Sequence, residues 1–295
     1  YEPPAEIQAS NIFIAGIALP YVSSGPGPSA PSTPDPTGLV APAPVSWPTA
    51  VIGGVLGEVR SPIVGDPAAG SISGQARLSA REVMQIISAA AARTIVTRAG
   101  IRLPAGQPAE VFIAVVNNPN VPGQPPVVLG TFRTPDATVF SWDVAVQKAR
   151  TALFFSSDTL ALSTRTVGFL AQTFYPPGID GNPAGPFNGL QERFSGPIIS
   201  GSGPVNGNLP DGITIFPGGF PLYRNGVLIG AIGVSGDGVD QDDLIAASGT
   251  AGFQPSASIR ADSFTYLGAR LPYANFPREP MLNPPVTPVP SDAGN

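Results

Sequence analysis

Phe216-Pro-Gly-Gly-Phe-Pro-Leu-Tyr-Arg-Asn-Gly-Val-Leu-Ile-Gly-Ala-Ile-Gly-Val-Ser-Gly-Asp-Gly-Val-Asp-Gln-Asp-Asp243 holds a turn, two strands, a glycine series and an acidic helix start in one run. Asn225-Gly226 stands between two apolar stretches, and Asn-Gly is the favoured pair where both turn residues take positive φ. Residues 220–234 are therefore read as a β-hairpin. Gly230 and Gly233, inside the second strand, leave backbone bare for the close approach of a ligand or of another element. Asp240 is expected to cap a following helix, with Asp242 and Asp243 in its first turn, where the helix dipole favours carboxylates.

Working outward, the folded unit is expected to begin near Leu78. Ser79-x-x-Glu82 forms a capping box, with Val83, Ile86, Ile87, Ala90 and Ile95 following at helical spacing and Gly100 as the expected stop. Glu110–Val116 and Val127–Phe132, separated by a Pro-rich turn, read as a second hairpin. Asp136 is expected to cap a helix running to Phe155, with Val139, Trp142, Val146, Ala149 and Leu153 on one face. Ser163–Phe174 reads as a shorter helix, and Tyr175–Gly212 as a long Gly/Pro-rich loop of the kind that carries function or partner contacts. The order α-ββ-αα-ββ-α predicts an α+β domain, an antiparallel sheet with helices packed on it.

Arms flank this unit. Residues 1–75 hold thirteen prolines and read as an extended arm, with one strand expected at Asn11–Leu19 and a second within Val51–Val64. Residues 253–295 hold eight prolines. The domain itself is placed at 76–252. Either the arms wrap or exchange between subunits, or they pack on their own domain.

Composition excludes more than it suggests. The chain has no cysteine and no histidine. That removes disulfides, thiolate metal sites, covalent c-type haem attachment, the usual zinc site, the usual catalytic triad and the commonest haem-iron ligand. Net charge is −5, with one lysine, Lys148, against fourteen arginines and no basic run, which argues against nucleic acid. The N-terminal apolar run Ile12–Leu19 is far short of the ~20 residues of a membrane span. The chain starts at Tyr1 rather than Met, read as a fragment or a cleaved export signal; few lysines and no thiols suit a periplasmic or extracellular protein.

The central stretch resembles the signature of the GlcG/HbpS family, a haem-binding or haem-degrading domain also found at the end of PduO-type adenosyltransferases. The residues that carry the likeness are Gly218, Gly219, Pro221 and Leu222, then Leu228–Gly236, then Gln241–Asp243. Asp143-Val-Ala-Val-Gln-Lys-Ala-Arg-Thr-Ala152 is similar to the family's central helix, and Val111–Val116 to one of its strands, with Asn117 in place of the usual Asp. Phe174–Leu190 looks like the insertion of a long-loop exported branch. The resemblance implies a profilin-like sandwich, at least a dimer, and haem as a cofactor.

Candidate site residues follow. Lys148 is expected either to bind a carboxylate such as a haem propionate or to pair with Asp143 or an acid of the 237–243 cluster. Pro217, Gly218 and Gly219 offer backbone to an anion, and Ser235-Gly236 forms a turn beside them. Asp237, Asp240, Asp242 and Asp243 raise Ca²⁺, although their spacing does not match an EF-hand loop and helix capping is the better explanation. For haem iron the available ligands are Met84, Met281, Lys148 and the tyrosines. No catalytic residue is singled out, and Ser235 has no histidine to activate it. The leading expectation is an exported binding module for haem or another small anionic ligand. The alternative is a structural subunit that self-assembles into an oligomer or filament through its Pro-rich arms.

Overall fold

The computed structural model describes residues 47–104, 106–190, 209 and 212–274, together with short strands at 13–14 and 17–18. The chain divides into two units, Tyr1–Ser46 and Trp47–Asn295. In the first, β1 (Phe13–Ile14) and β2 (Ile17–Ala18) pair antiparallel, so the stretch read as one strand is a pair of short ones. Most of the N-terminal arm, the last part of the long loop and the C-terminal Pro-rich run lie outside the described residues.

In the second unit β3 (Thr49–Ile52), β4 (Val55–Ser61), β5 (Phe112–Asn117), β6 (Val128–Arg133), β7 (Gly219–Arg224) and β8 (Val227–Ser235) form one sheet in the order β3-β4-β6-β5-β8-β7. Every neighbouring pair is antiparallel. Asn225 and Gly226 take φ of 49° and 80°, the two positive values that the Asn-Gly turn requires.

Alternation along β5 sorts the layers. Phe112 and Ala114 pack with Ala145 and Val146 of α2 (Ser141–Phe154). Ile113 and Val115 point to the other face, which α1 (Ala80–Thr94) and α4 (Val239–Gly249) cover. α3 (Thr164–Leu170) lies beside α2 and β7. The result is the expected antiparallel sheet with helices packed on it. Gly233 and Gly219 let α2 settle onto the strands: a Cβ on either would run into the carbonyl of Ala145 or of Lys148. The bare backbone at Gly233 therefore admits a helix, not a ligand.

Several boundaries shift. The capping box at Ser79 and Glu82 is present, but α1 ends at Thr94, where the Thr97 hydroxyl takes up the Arg93 carbonyl; Gly100 instead donates its N–H to Asp237. α2 starts at Ser141 rather than at Asp136, because Arg133 donates twice to the Ala137 carbonyl and holds the preceding segment in turns. Of the expected stripe, Val146, Ala149 and Leu153 are buried, Trp142 is half-buried and Val139 is exposed, and Ala145, Lys148 and Ala152 join the buried face. Ser163 caps α3, which stops at Leu170. Gly238, at φ 152°, occupies the N-cap of α4, so Asp240 stands in the first turn instead of capping it.

The arms shorten as well. β3 and β4, read as part of the N-terminal arm, close the sheet's edge beside β6. At the other end, Ala161 pairs with Arg260, Ser163 donates to the Tyr273 carbonyl, and Thr166 donates to Pro272 at 2.6 Å. A short hairpin of β9 (Thr265–Tyr266) and β10 (Ala269–Arg270) follows. Residues 253–274 thus pack back on their own domain. Among the described residues no helix is long and apolar enough to cross a membrane.

Candidate functional site

Helix α2 places polar side chains on two faces. On the sheet side, Lys148 is 1% exposed and donates to Asp242 Oδ2 at 2.7 Å and to the Val234 carbonyl at 2.8 Å. Of the readings open from sequence, the structure selects the pair with an acid of the 237–243 cluster. Arg165, from α3, reaches Asp243 and Asp240, each at 2.5 Å, and Asp243 also accepts the Gly218 N–H at 2.8 Å. Gly219 N–H donates to Thr164 Oγ1 at 2.9 Å. Burial pushes Asp242 up to about 6, against the pull of Lys148 and with added repulsion from Asp243. Burial alone would lower Arg165, but Asp243 and Asp240 raise it above its ordinary value.

Lys148, Gly218 and Gly219 thus meet, as their candidacy requires, but in the interior. A Cβ on Gly218 would come within 2.6 Å of the Val234 carbonyl and 3.1 Å of Lys148 Nζ. The Gly218 and Gly219 amides are taken by side chains of the chain itself, so neither is aimed at a guest anion. Pro217 is half-buried next to them. Ser235 is buried at the end of β8, opposite Phe112, and Gly236 abuts the Glu110 carbonyl while its own carbonyl accepts from Arg102. Asp143 is on the opposite side of α2, exposed, and does not pair with Lys148.

The acidic cluster does not converge either. Asp237 accepts the backbone N–H groups of Gly100, Arg102 and Leu103, at 2.6, 2.5 and 3.0 Å. Asp242 turns to Lys148, and Asp240 and Asp243 to Arg165. Among the described residues no three carboxylates gather as a cation site, and these four aspartates accept from donors of the chain instead.

On the outer side of α2 the geometry is different. Trp142, Asp143, Val146, Gln147 and Arg150 fall at successive helical spacings and, with Ser61 of β4 and Val128 of β6, line a cleft of ≈ 540 Å³. That volume lies in the range of small-molecule sites. The Trp142 indole is held by neighbouring side chains. It stacks on Phe112 at 6.4 Å with a 5° interplanar angle and meets Trp47 edge-on at 5.8 Å. Arg60 lies over all three rings, at 5.2 to 5.8 Å, and is paired with Glu58, which also holds Arg133. Arg150 Nη2 donates to the Pro126 carbonyl at 3.3 Å, which fixes the guanidinium at the rim.

This cleft was not singled out from sequence, although its residues were readable. Ala145, Ala149 and Ala152 mark the face that meets the sheet, which leaves 142, 143, 146, 147 and 150 as the outer stripe. A second depression, ≈ 390 Å³, is walled by Asn118–Pro122, Pro126, Phe154 and Ser156–Asp158. It carries no arginine or lysine, and most of its lining residues belong to loops.

Residues 87–251 match the model of a family described as haem degrading protein HbpS-like. The chain belongs to the HbpS-like family. Within it, a stretch of 121 residues is 30% identical to the corrinoid adenosyltransferase PduO of Salmonella typhimurium strain LT2, and 28% identical to that of Citrobacter freundii. Each match covers 41% of this chain and 27% of the enzyme, so this HbpS-like chain spans about a quarter of the length of those curated relatives. Among solved structures, a PduOC:heme complex is 25% identical over 61% of this chain and 96% of its own, with a TM-score of 0.41. Klebsiella pneumoniae protein ORFY is 22% identical over 62% and 96%, with a TM-score of 0.40.

Proposed function

We propose that this HbpS-like chain is a binding module for haem or a related carboxylated tetrapyrrole, and that the guest lies in the α2 cleft. Family membership supports the ligand class. The observation that carries the site is the cleft itself, where Trp142, Val128 and Val146 offer flat and apolar walls and Arg150 a fixed guanidinium within one opening of ≈ 540 Å³. Arginine is the side chain suited to a carboxylate, through paired, charge-assisted hydrogen bonds. The internal node of Lys148, Asp242 and Arg165 is assigned a structural role. Fluorescence and absorption titration with haem tests the reading: saturable quenching that Trp142→Ala weakens at least about tenfold is expected. Binding that ignores Trp142 would place the site elsewhere.

A second reading, self-association, is favoured by the sheet's edge. Val51 and Leu56 face each other across β3 and β4, are 68% and 59% exposed, and no described residue pairs with the outer side of β3. A second copy of this chain pairing its own β3 along this edge would take up the unpaired backbone groups and bring the two Val51–Leu56 faces side by side. The measurement is solution mass, which Val51→Lys should lower to that of the monomer; an unchanged mass rejects β3 as the interface. Export is proposed on composition alone and is tested by fractionating cells that express the full-length protein.

A further inference from the structure

The cleft's side chains sort by chemistry into groups that can hold a tetrapyrrole's ring and carboxylates and none that suits its iron. Haem iron takes His, Cys, Met or Tyr as its usual protein ligands. The chain has no histidine and no cysteine. The cleft is lined by serine, valine, tryptophan, aspartate, glutamine and arginine. Met84 is on α1, on the far face of the sheet. The hydroxyls of Tyr175 and Tyr273 are buried, that of Tyr223 donates to the Ser157 carbonyl at 2.7 Å, and Tyr266 belongs to the β9–β10 hairpin. Lys148, the one lysine, is held by Asp242, and Met281, Tyr1 and Tyr21 lie outside the described residues. Gln147 supplies an independent sign of a guest: it is 8% exposed, lines the cleft, and its buried Oε1 receives no hydrogen bond from any described residue.

We propose that the cleft recognises a flat, conjugated, carboxylated ring system through Trp142 and Arg150, and that the metal contributes nothing to recognition, so metal-free and metallated tetrapyrroles bind alike. This rests on the tetrapyrrole reading above. Arg150 and Trp142 are two turns apart on α2, which sets an indole and a guanidinium on the same helix stripe. Gln147 between them carries amide N–H donors beside its carbonyl, and these suit a carboxylate of the guest.

The experiment titrates the full chain with three probes: haem, metal-free protoporphyrin IX, and the dimethyl ester of protoporphyrin IX. Haem and the metal-free acid are expected to bind within about threefold of each other, and the ester at least about tenfold more weakly, the size of a lost hydrogen bond to a charged group. Arg150→Gln should erase the difference between acid and ester, with unchanged far-UV circular dichroism as the check on folding. If haem binds tenfold or more tightly than the metal-free acid, iron has a ligand here and the inference is overturned, while the haem reading stands. If no probe binds, the reading and the inference fall together. If acid and ester bind equally to the native chain, Arg150 is not the anchor and the proposal is lost even where the variant does not fold.

Discussion

The two faces of helix α2 carry almost the same inventory and do opposite things with it. Inward, Lys148 donates to Asp242 and to the Val234 carbonyl beneath Gly218 and Gly219, where a single added Cβ would already clash. Outward, Asp143, Gln147 and Arg150 share a helical stripe with Trp142 and open onto a cleft. Charge and hydrogen-bonding capacity are thus poor guides to a binding site when taken alone. What separates the faces is the size of the neighbouring residues. Alanines and glycines bring backbone close and seal the inner polar groups, whereas a tryptophan and two valines hold the outer ones apart.

The comparison breaks most sharply at Lys148. Lys148→Ala leaves Asp242 buried without its cation and is expected to cost about 3–5 kcal/mol, read by urea unfolding. Loss of less than 1 kcal/mol would mean the inner face is not an obligate pair. Next comes the seal itself. Gly233→Val forces a side chain into the Ala145 carbonyl, and a loss of about 1–3 kcal/mol in thermal unfolding is expected. On the outer face, Trp142→Ala should weaken porphyrin binding by the ~2 kcal/mol typical of an aromatic anchor. The same change should leave the urea midpoint nearer that of the parent than Lys148→Ala does.

A pH experiment sharpens the contrast further. Asp242 stands at about 6 in the folded chain, above its ordinary 3.8. A raised carboxyl contributes its stability fully below the unfolded value and loses it as pH rises through the folded one, here between about 4 and 6. Carbon-13 carboxyl titration should find one aspartate with a midpoint near 6, and Lys148→Met should move it upward, because the lysine is what draws it down. A midpoint near 4 would show the site to be wet. The smallest effect on stability is expected at the sheet's edge: Val51→Lys, at an exposed position, should change unfolding by less than about 0.5 kcal/mol while altering solution mass.

Local chemistry made much of this fold legible. Asn225-Gly226 fixed a hairpin because few pairs tolerate two positive φ values, and Ser79 with Glu82 marked a helix start through reciprocal hydrogen bonds. Boundaries set by distant partners were not legible. Nothing near Gly100 announces that Asp237 claims its N–H, and nothing near Asp136 shows that Arg133 ties back the segment before α2. The first hairpin was hidden by its Pro-rich surroundings, although Gly53-Gly54, at φ 61° and 82°, sits between apolar residues as a turn signal of its own. For the site, Lys148 drew attention by being unique, yet uniqueness in a sequence says nothing about which side of a helix a residue occupies. The alanine spacing at 145, 149 and 152 carries that information, but the expected face grouped Trp142 and Val146 with Ala149 and so left the outer stripe unseen.

The seclusion of Lys148 has a practical side. It is the chain's one side-chain amine, and it is 1% exposed. Amine-directed reagents should therefore reach the α-amine in the folded protein and acylate Lys148 only when the chain opens, making the increment on the Lys148 peptide a clock for unfolding. For the same reason, lysine cross-linkers should fail to join neighbouring copies even where copies associate, and carboxyl- or arginine-directed chemistry is the route to trapping an assembly.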